Sequence, residues 1–297
     1  MTVYSPLASP SATIAELQRW GLHTKKGLGQ HLLVDDGVIG RIIRLADPVT
    51  ALPVLEIGPG IGTLTEALLL QGADVLSVEI DERLKPLLDD LHHRYQEHFT
   101  FFINDALLLN EPDLPPRFAI VANLPYRVAA TIVLDAFQRF SGLQRATVMM
   151  QREVAERIMA SPGSKAYGAF TVKLALLAEA VGSFAVARSS FLPPPRVDST
   201  VLRLERIDGQ RLQQAGYWEH ARSIIDAAFA ERRKTLRNSL RSSLAGYEAT
   251  EIDEALAAAG IDGRRRAESL AVAEFPALLS AFAAIAASKS SILSYID

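Results

Sequence analysis

Apolar and polar positions follow two rhythms along this chain, and the rhythms exchange places several times. Residues 36–46 carry Val38, Ile39, Ile42, Ile43 and Leu45, the spacing of a helix with one buried face. Residues 54–57 and 118–122 are short apolar runs bounded by turn formers, which predicts buried strands. Residues 74–79 and 99–103 read as further strands. Residues 63–71 and 82–91 read as helices, the first stopped by Gly72. Downstream, 129–140 and 153–160 are predicted helices, 146–150 a fifth strand and 201–204 a last one. Strands alternating with helices predict an α/β fold built on a doubly wound parallel sheet. Residues 171–187 carry sheet and helix material without readable boundaries.

The ends of the chain differ from this middle. Residues 1–12 are rich in Ser and Pro and are expected to be loose. Thr13 is a candidate helix cap, with Glu16 closing a capping box. Residues 161–165 and the proline run Pro193-Pro194-Pro195 read as loops. From about residue 208 strand signals stop, and Ala/Leu helical periods run to about 287. The expected organisation is an extension over 1–24, an α/β domain over 25–207 and a smaller all-helical domain over 208–297, ending in a loose tail.

Candidate chemistry sits at the strand ends. Gly58, Gly60 and Gly62 join the 54–57 strand to a helix, where missing Cβ atoms let a backbone approach a ligand closely. Glu79 ends the next strand, 21 residues beyond Gly58, where a carboxylate can accept from two ribose hydroxyls. Asp105 closes the third strand, placed to accept from an adenine amine. A dinucleotide fingerprint needs Gly or Ala one residue after Gly62, and Thr63 stands there. S-adenosylmethionine, a sulfonium cofactor without pyrophosphate, suits this loop better than NAD. A glycine turn with no ligand is the structural alternative. Glu56, just before the loop, can orient it or face a cation.

The run Asn123-Leu124-Pro125-Tyr126 follows the 118–122 strand. Ligands bind outside the carboxyl ends of strands in open α/β sheets. The Asn123 amide oxygen and the Leu124 carbonyl can accept both hydrogens of an exocyclic amine, while Pro125 bends the chain and Tyr126 offers a stacking face. An adenine N6 lone pair is delocalised into its ring. Accepting both N–H bonds favours a tetrahedral nitrogen whose lone pair can meet a methyl carbon, so orientation and electrostatics do the catalysis. Phe191 is a second candidate stacking ring for a base taken out of its helix; its structural alternative is core packing. For the tetrad that alternative is an ordinary proline turn.

Composition narrows the partners. The 297 residues are 49% hydrophobic and 22% charged, with a net charge of -3, so the chain is not a uniformly basic nucleic-acid binder. Against that balance, residues 229–241 are basic: Arg232, Arg233 and Lys234 are followed by Arg237 and Arg241. Read as one helix, Arg233 and Arg237 are an i,i+4 pair able to meet successive phosphates. A solvated helix face is the alternative. Arg264-Arg265-Arg266 adds a second cluster, and Lys25 and Lys26 extend the basic inventory. No cysteine is present, which removes disulfides, thiolate metal sites and cysteine nucleophiles. No apolar run reaches the roughly 18 residues of a membrane helix, and no secretory or transit signal is read at the start.

Assembled in order, these segments resemble the ribosomal RNA adenine N6,N6-dimethyltransferases of the KsgA type. The resemblance rests on Gly29-Gln30-His31-Leu32-Leu33, Glu56 to Thr65, Val78-Glu79-Ile80-Asp81, Asn104-Asp105-Ala106, Asn123 to Tyr126, Gln151 to Arg157, Pro162 to Gly168, Phe191 to Ser199 and Arg232 to Leu236. It implies a Rossmann-like methyltransferase domain with a helical RNA-contacting domain, S-adenosyl-L-methionine as cofactor, and dimethylation of two adjacent adenosines in a hairpin loop near the 3′ end of small-subunit (16S) rRNA. Cofactor contacts then fall on His31, Leu33, Gly58, Glu79, Asp105 and Asn123. His31 stands where the family often has Asn, and Arg127-Val128-Ala129-Ala130 departs from the family's usual continuation. The expected setting is an assembling small ribosomal subunit in the cytoplasm, met by a monomer with no metal and no membrane. Two alternatives remain open: a large-subunit rRNA adenine methyltransferase of the antibiotic-resistance type, and a ribosome-assembly or transcription factor that needs no catalysis.

Overall fold

The computed structural model describes residues 3–23, 31–207 and 216–293. Lys25, Lys26, Gly29, Gln30 and residues 208–215, at the start of the expected helical domain, lie outside the described residues. In chain order the elements are α1 (Pro10–Arg19), β1 (Leu32–Leu33), α2 (Asp36–Ala46), β2 (Val54–Ile57), α3 (Thr63–Leu70), β3 (Val75–Glu79), α4 (Lys85–Tyr95), β4 (Phe99–Ile103), β5 (Phe118–Asn123), α5 (Ala129–Arg139), β6 (Leu143–Gln151), α6 (Arg152–Ile158), α7 (Ala169–Ala175), β7 (Ala178–Val186), β8 (Phe191–Leu192), β9 (Ser199–Arg206), α8 (Tyr217–Phe229), α9 (Leu236–Ser243), α10 (Ala249–Ala258) and α11 (Phe275–Leu293).

Seven strands form one sheet in the order β4-β3-β2-β5-β6-β9-β7. β2, β3, β4, β5 and β6 are mutually parallel. β9 is antiparallel to both β6 and β7, which corrects the all-parallel expectation. The stretch between β7 and β9 carries no crossover helix, so the chain returns antiparallel. Central β2 is buried at every residue, as a strand covered on both faces must be. One layer of its cover comes from Ile39, Ile42 and Ile43 of α2, Leu68 of α3 and Leu88 and Leu91 of α4. Full burial of each such side chain contributes about 1.5–3 kcal/mol. The strand order reverses between β2 and β5, so a crevice opens at their carboxyl ends.

The N-terminal residues are more ordered than their composition predicts. Both Asp36 carboxylate oxygens accept from the Tyr4 N–H, at 3.0 and 3.1 Å, and Oδ1 also accepts from the Ser5 N–H at 2.8 Å. The Tyr4 ring lies on α2 where Gly40 leaves room; a Cβ there would stand 2.5 Å from it. Ser9, not Thr13, caps α1, its hydroxyl accepting from the Ala12 N–H at 3.2 Å. Thr13 is fully buried and donates to the Leu7 carbonyl. Pro10 at the first helical position moves the helix start upstream of the expected capping box.

The chain forms two compact units. One comprises residues 1–155 and 178–206; the other comprises 156–177 and 207–297. Residues 156–177 thus group with the C-terminal helices, whereas the sequence places them in the α/β domain. Tyr167 and Val172 explain the grouping: they belong to the apolar core of the helical unit with Ile224, Leu240, Leu256 and Phe282. The Tyr167 hydroxyl donates to the Leu270 carbonyl at 2.8 Å, and burial pushes its pKa up to about 12. Residues 272–289, in and just before α11, are long and apolar enough by length and composition to cross a membrane, with Glu274 and Lys289 within the stretch. Phe275, Leu278, Leu279 and Phe282 of this stretch lie in the helical unit's core.

Candidate active site

The crevice at the carboxyl ends of β2, β3 and β5 contains two adjoining cavities of about 90 and 280 Å³ that share Gly58, Glu79, Ile80 and Pro125. Gly58 leaves β2 with φ +72°, its N–H donating to the Val78 carbonyl at 2.9 Å. Gly62 caps α3 at φ +84°, and a Cβ there would stand 2.7 Å from Leu91 Cδ1. These positions demand glycine for backbone conformation and, at Gly62, for space. The loop presents its backbone to the smaller cavity, which His31, Leu33, Asn123, Leu124 and Tyr126 also line.

Three polar groups around the loop have unusual settings. Glu79 Oε1 accepts from the Ile80 and Asp81 N–H groups at 2.9 Å, and Oε2 accepts from the Gly60 N–H at 3.3 Å. Burial raises its pKa, and these three N–H groups offset part of the rise. Glu56 is 1% exposed and lines the same cavity. Its Oε2 accepts from Thr65 Oγ1 at 2.6 Å and Ser77 Oγ at 3.0 Å. Burial lifts its pKa to about 7 despite these two bonds, with a smaller contribution from the Glu79 charge. The buried Thr63 hydroxyl, also on the cavity wall, has no partner among the described residues.

At the end of β5, Asn123 Nδ2 donates to the His31 carbonyl at 3.2 Å. A carbonyl can only accept, so this bond fixes the amide and leaves Oδ1 as an acceptor with no donor among the described residues. Leu124 is buried and its N–H donates to the Met149 carbonyl at 3.1 Å. Its own carbonyl accepts no bond from a described residue. The Tyr126 hydroxyl meets Ser199 Oγ at 2.5 Å. The Tyr126 ring stacks on His31 with centroids 5.4 Å apart at 27°. His31 Nδ1 lies 2.8 Å from the Pro193 carbonyl, so Nδ1 carries the proton. An antiparallel pair between β1 and β8, with Leu33 opposite Phe191, holds His31 and the proline loop together.

The site can therefore offer two backbone-rich cavities, a carboxylate at a strand end and a pair of acceptors beside an aromatic face. The family model for ribosomal RNA adenine dimethylase matches residues 21–283. The chain belongs to the ribosomal RNA adenine dimethylase family. It is a methyltransferase dependent on S-adenosyl-L-methionine. It is 37% identical over 294 residues to the ribosomal RNA small subunit methyltransferase A of Geobacillus kaustophilus, covering 95% of this chain and 98% of that relative. With the Thermobifida fusca protein of the same name it is 41% identical over 259 residues, covering 86% and 89%. Its fold is similar to that of a dimethyladenosine transferase from Plasmodium falciparum, at TM-score 0.72 and 24% identity over 85% of this chain and 97% of the other. It is also similar to the 23S rRNA methyltransferase ErmE, at TM-score 0.62 and 29% identity over 84% and 98%.

For a methyltransferase of this family the crevice fits the donor: glycine backbone, unpaired Thr63 hydroxyl and Glu79 carboxylate converge on it. Asp105 lines the larger cavity and gives one oxygen to the Leu107 N–H at 2.9 Å, so its other oxygen is the one left for a ligand. Leu33 contributes to the smaller cavity, with its side chain in the core. Phe191 departs from the expectation. It is 2% exposed and packs in the core, because its pairing with Leu33 turns the ring inward, and it presents no face for stacking. The features that sequence reasoning missed are the Ser199 hydroxyl under Tyr126 and the stacking of His31. Ser199 lies within the Phe191–Ser199 motif, but nothing local marks its partner.

In the helical unit the basic run is not one helix. α8 ends at Phe229 and α9 begins at Leu236, so Arg233 and Arg237 are not i,i+4 neighbours on a helix. Thr235 is the break: its hydroxyl caps α9 at the Asn238 N–H. Most of the cations face carboxylates: Arg232 faces Glu268 at 3.5 Å, Lys234 faces Glu231 at 3.7 Å, and Arg241 faces Asp253 at 2.6 Å. Arg237 Nε is 3.0 Å from Asp253 Oδ1, an ion pair without hydrogen-bond alignment. Arg264 and Arg265 pair with Asp262 and Glu274. Arg233 is exposed with no carboxylate partner among the described residues.

Proposed function

We propose that this methyltransferase converts two adjacent adenosines, in a hairpin loop near the 3′ end of small-subunit rRNA, to N6,N6-dimethyladenosine. The observation that carries the reading is the fixed Asn123 amide. With Nδ2 held by the His31 carbonyl, Oδ1 faces its ligand as an acceptor beside the open Leu124 carbonyl. Two acceptors match the two hydrogens of an adenine amine, and after one methylation they still match the one that remains. Glu79 and Asp105 hold the ribose and adenine of the donor, the Gly58 loop its middle, and His31 and Leu33 flank it. When bound, S-adenosylmethionine supplies an electrophilic methyl group on a sulfonium. Tyr126, fixed through Ser199, stacks on the target base, and Pro125 sets its angle to Asn123. Arg232, Arg233, Lys234 and Arg237 contact RNA. The setting is an assembling small subunit in the cytoplasm, and the working unit is a monomer.

The small-subunit target is favoured over the large-subunit one by the names of the relatives matched over nearly their full length, such as that of Geobacillus kaustophilus. The test is incubation of the protein with labelled cofactor and under-methylated small subunits, followed by mapping of the modified nucleotides. Label on two adjacent adenosines near the 3′ end of the small-subunit rRNA is expected. Label confined to large-subunit rRNA, or none with either subunit, overturns the reading.

A further inference from the structure

A second cationic feature belongs to the α/β unit and lies beside the amine-binding corner. β9 begins at Ser199, whose hydroxyl holds Tyr126. The preceding residue, Asp198, has its carboxylate 3.6 Å from Arg152 Nη1 and 3.6 Å from Arg188 Nε. Arg188 Nη1 also donates to the Arg196 carbonyl at 3.4 Å, bracing the end of the proline loop. The Arg196 side chain is exposed and has no carboxylate partner among the described residues. Two guanidiniums thus flank one carboxylate, with the exposed Arg196 two residues before it in the chain, next to the hydroxyl that orients the stacking ring. The strand register places them on the ligand side of the sheet. Ser199 pairs with Gln151 and with Val186, the carboxyl ends of β6 and β7, and Asn123 ends β5 on the same edge.

We propose that this Asp198-centred arginine cluster binds the phosphodiester backbone of the RNA next to the target adenosine. The inference deepens the function proposed above and rests on it for the identity of the RNA. A planar guanidinium fork matches two phosphate oxygens at once, which a lysine does not. The pairs with Asp198 are long and solvent-exposed, so a phosphate can take over a guanidinium at little cost. Asp198 keeps Arg152 and Arg188 from splaying apart while no RNA is bound, and Arg196 supplies a cation with no carboxylate of its own. A base drawn out of its loop onto Tyr126 carries its flanking phosphates to this corner, because consecutive residues are only about 3.8 Å apart and Asp198 adjoins Ser199. Backbone contacts here set register, while Asn123 and Leu124 read the base.

The test uses the full chain and the small-subunit 3′ hairpin RNA, with binding followed by fluorescence anisotropy between about 50 and 200 mM salt. R188Q/R196Q is compared with wild type and with R117Q, a control before the start of β5 at the opposite edge of the sheet. The double variant should bind more weakly. Its slope of log K against log salt should be shallower by about 0.7 to 0.9 for each phosphate that is no longer neutralised. KM for under-methylated subunits should rise while kcat at saturation and the cofactor Kd hold. R196Q alone, which removes no side-chain bond to a described residue, should show part of the same slope change and separates charge from loop bracing. Slopes equal to wild type in both variants overturn the proposal even if methylation occurs as expected. A reduced slope together with absent methylation by wild type would support the phosphate site and refute the adenosine reading.

Discussion

Replacing Glu56 with Gln should change how stability depends on pH, and by an amount the structure sets. Glu56 lies fully buried near the end of β2, where the Thr65 and Ser77 hydroxyls are its hydrogen-bond partners among the described residues. Burial holds its pKa at about 7, against 4.5 for the ordinary side chain. The folded protein therefore keeps this proton through a window in which the unfolded chain has released it. Below 4.5 both states hold the proton and the contribution is fully present; as pH rises to about 7 it is lost. At about 1.4 kcal/mol per pH unit, the loss across the window is about 3 kcal/mol. Gln fills the same volume and can accept from both hydroxyls, but does not titrate. Urea unfolding of the cofactor-free protein at about pH 5 and pH 8 should show wild type losing most of this amount relative to Glu56→Gln. Glu79, also raised by burial, remains in both proteins, and its charge is the smallest of the causes that move Glu56. A difference between variant and wild type that stays constant across these pH values would refute the assignment of a buried, proton-holding Glu56.

Asn123→Ala should retain cofactor binding and lose methyl transfer, since the amine acceptor is removed together with the Nδ2 bond to the His31 carbonyl; normal dimethyladenosine formation by the variant would end that role. Glu79→Ala should weaken cofactor affinity by about 10-fold or more, the loss of one charged hydrogen-bond acceptor; calorimetry giving a wild-type dissociation constant would count against it. Asp36→Ala should lower unfolding stability by about 1–3 kcal/mol, because the Tyr4 and Ser5 N–H groups lose their charged acceptor; an unchanged urea midpoint would mean that this clasp contributes nothing. Arg232, Arg233 and Lys234 changed together to Ala should weaken RNA binding and flatten its salt dependence. An unaltered slope would return that run to a solvated surface.

Features with a local cause were legible in the residues alone. β2 and α2 have the bounds predicted from periodicity, because a buried strand and an amphipathic helix each state their pattern within a dozen residues. The glycine loop, Glu79 and the Asn123–Tyr126 tetrad were legible for a related reason: the fold places the ends of parallel strands on one edge, so strand-end residues can be named before their geometry is known. Features that depend on a distant partner emerged only in the folded chain. His31 is 92 residues from Asn123, yet its carbonyl settles which end of that amide is taken up within the protein. Phe191 has the pattern of a stacking ring, and its pairing with Leu33 buries it. Residues 156–177 follow the α/β strands in the chain, but Tyr167 and Val172 complete the core of the helices. Arg233 and Arg237 keep helical spacing in the sequence, and a threonine cap between them ends that relation. Periodicity reports which face of an element is apolar. Which other element covers that face, and which carbonyl or carboxylate waits there for a polar side chain, is fixed only when segments far apart in the chain pack together.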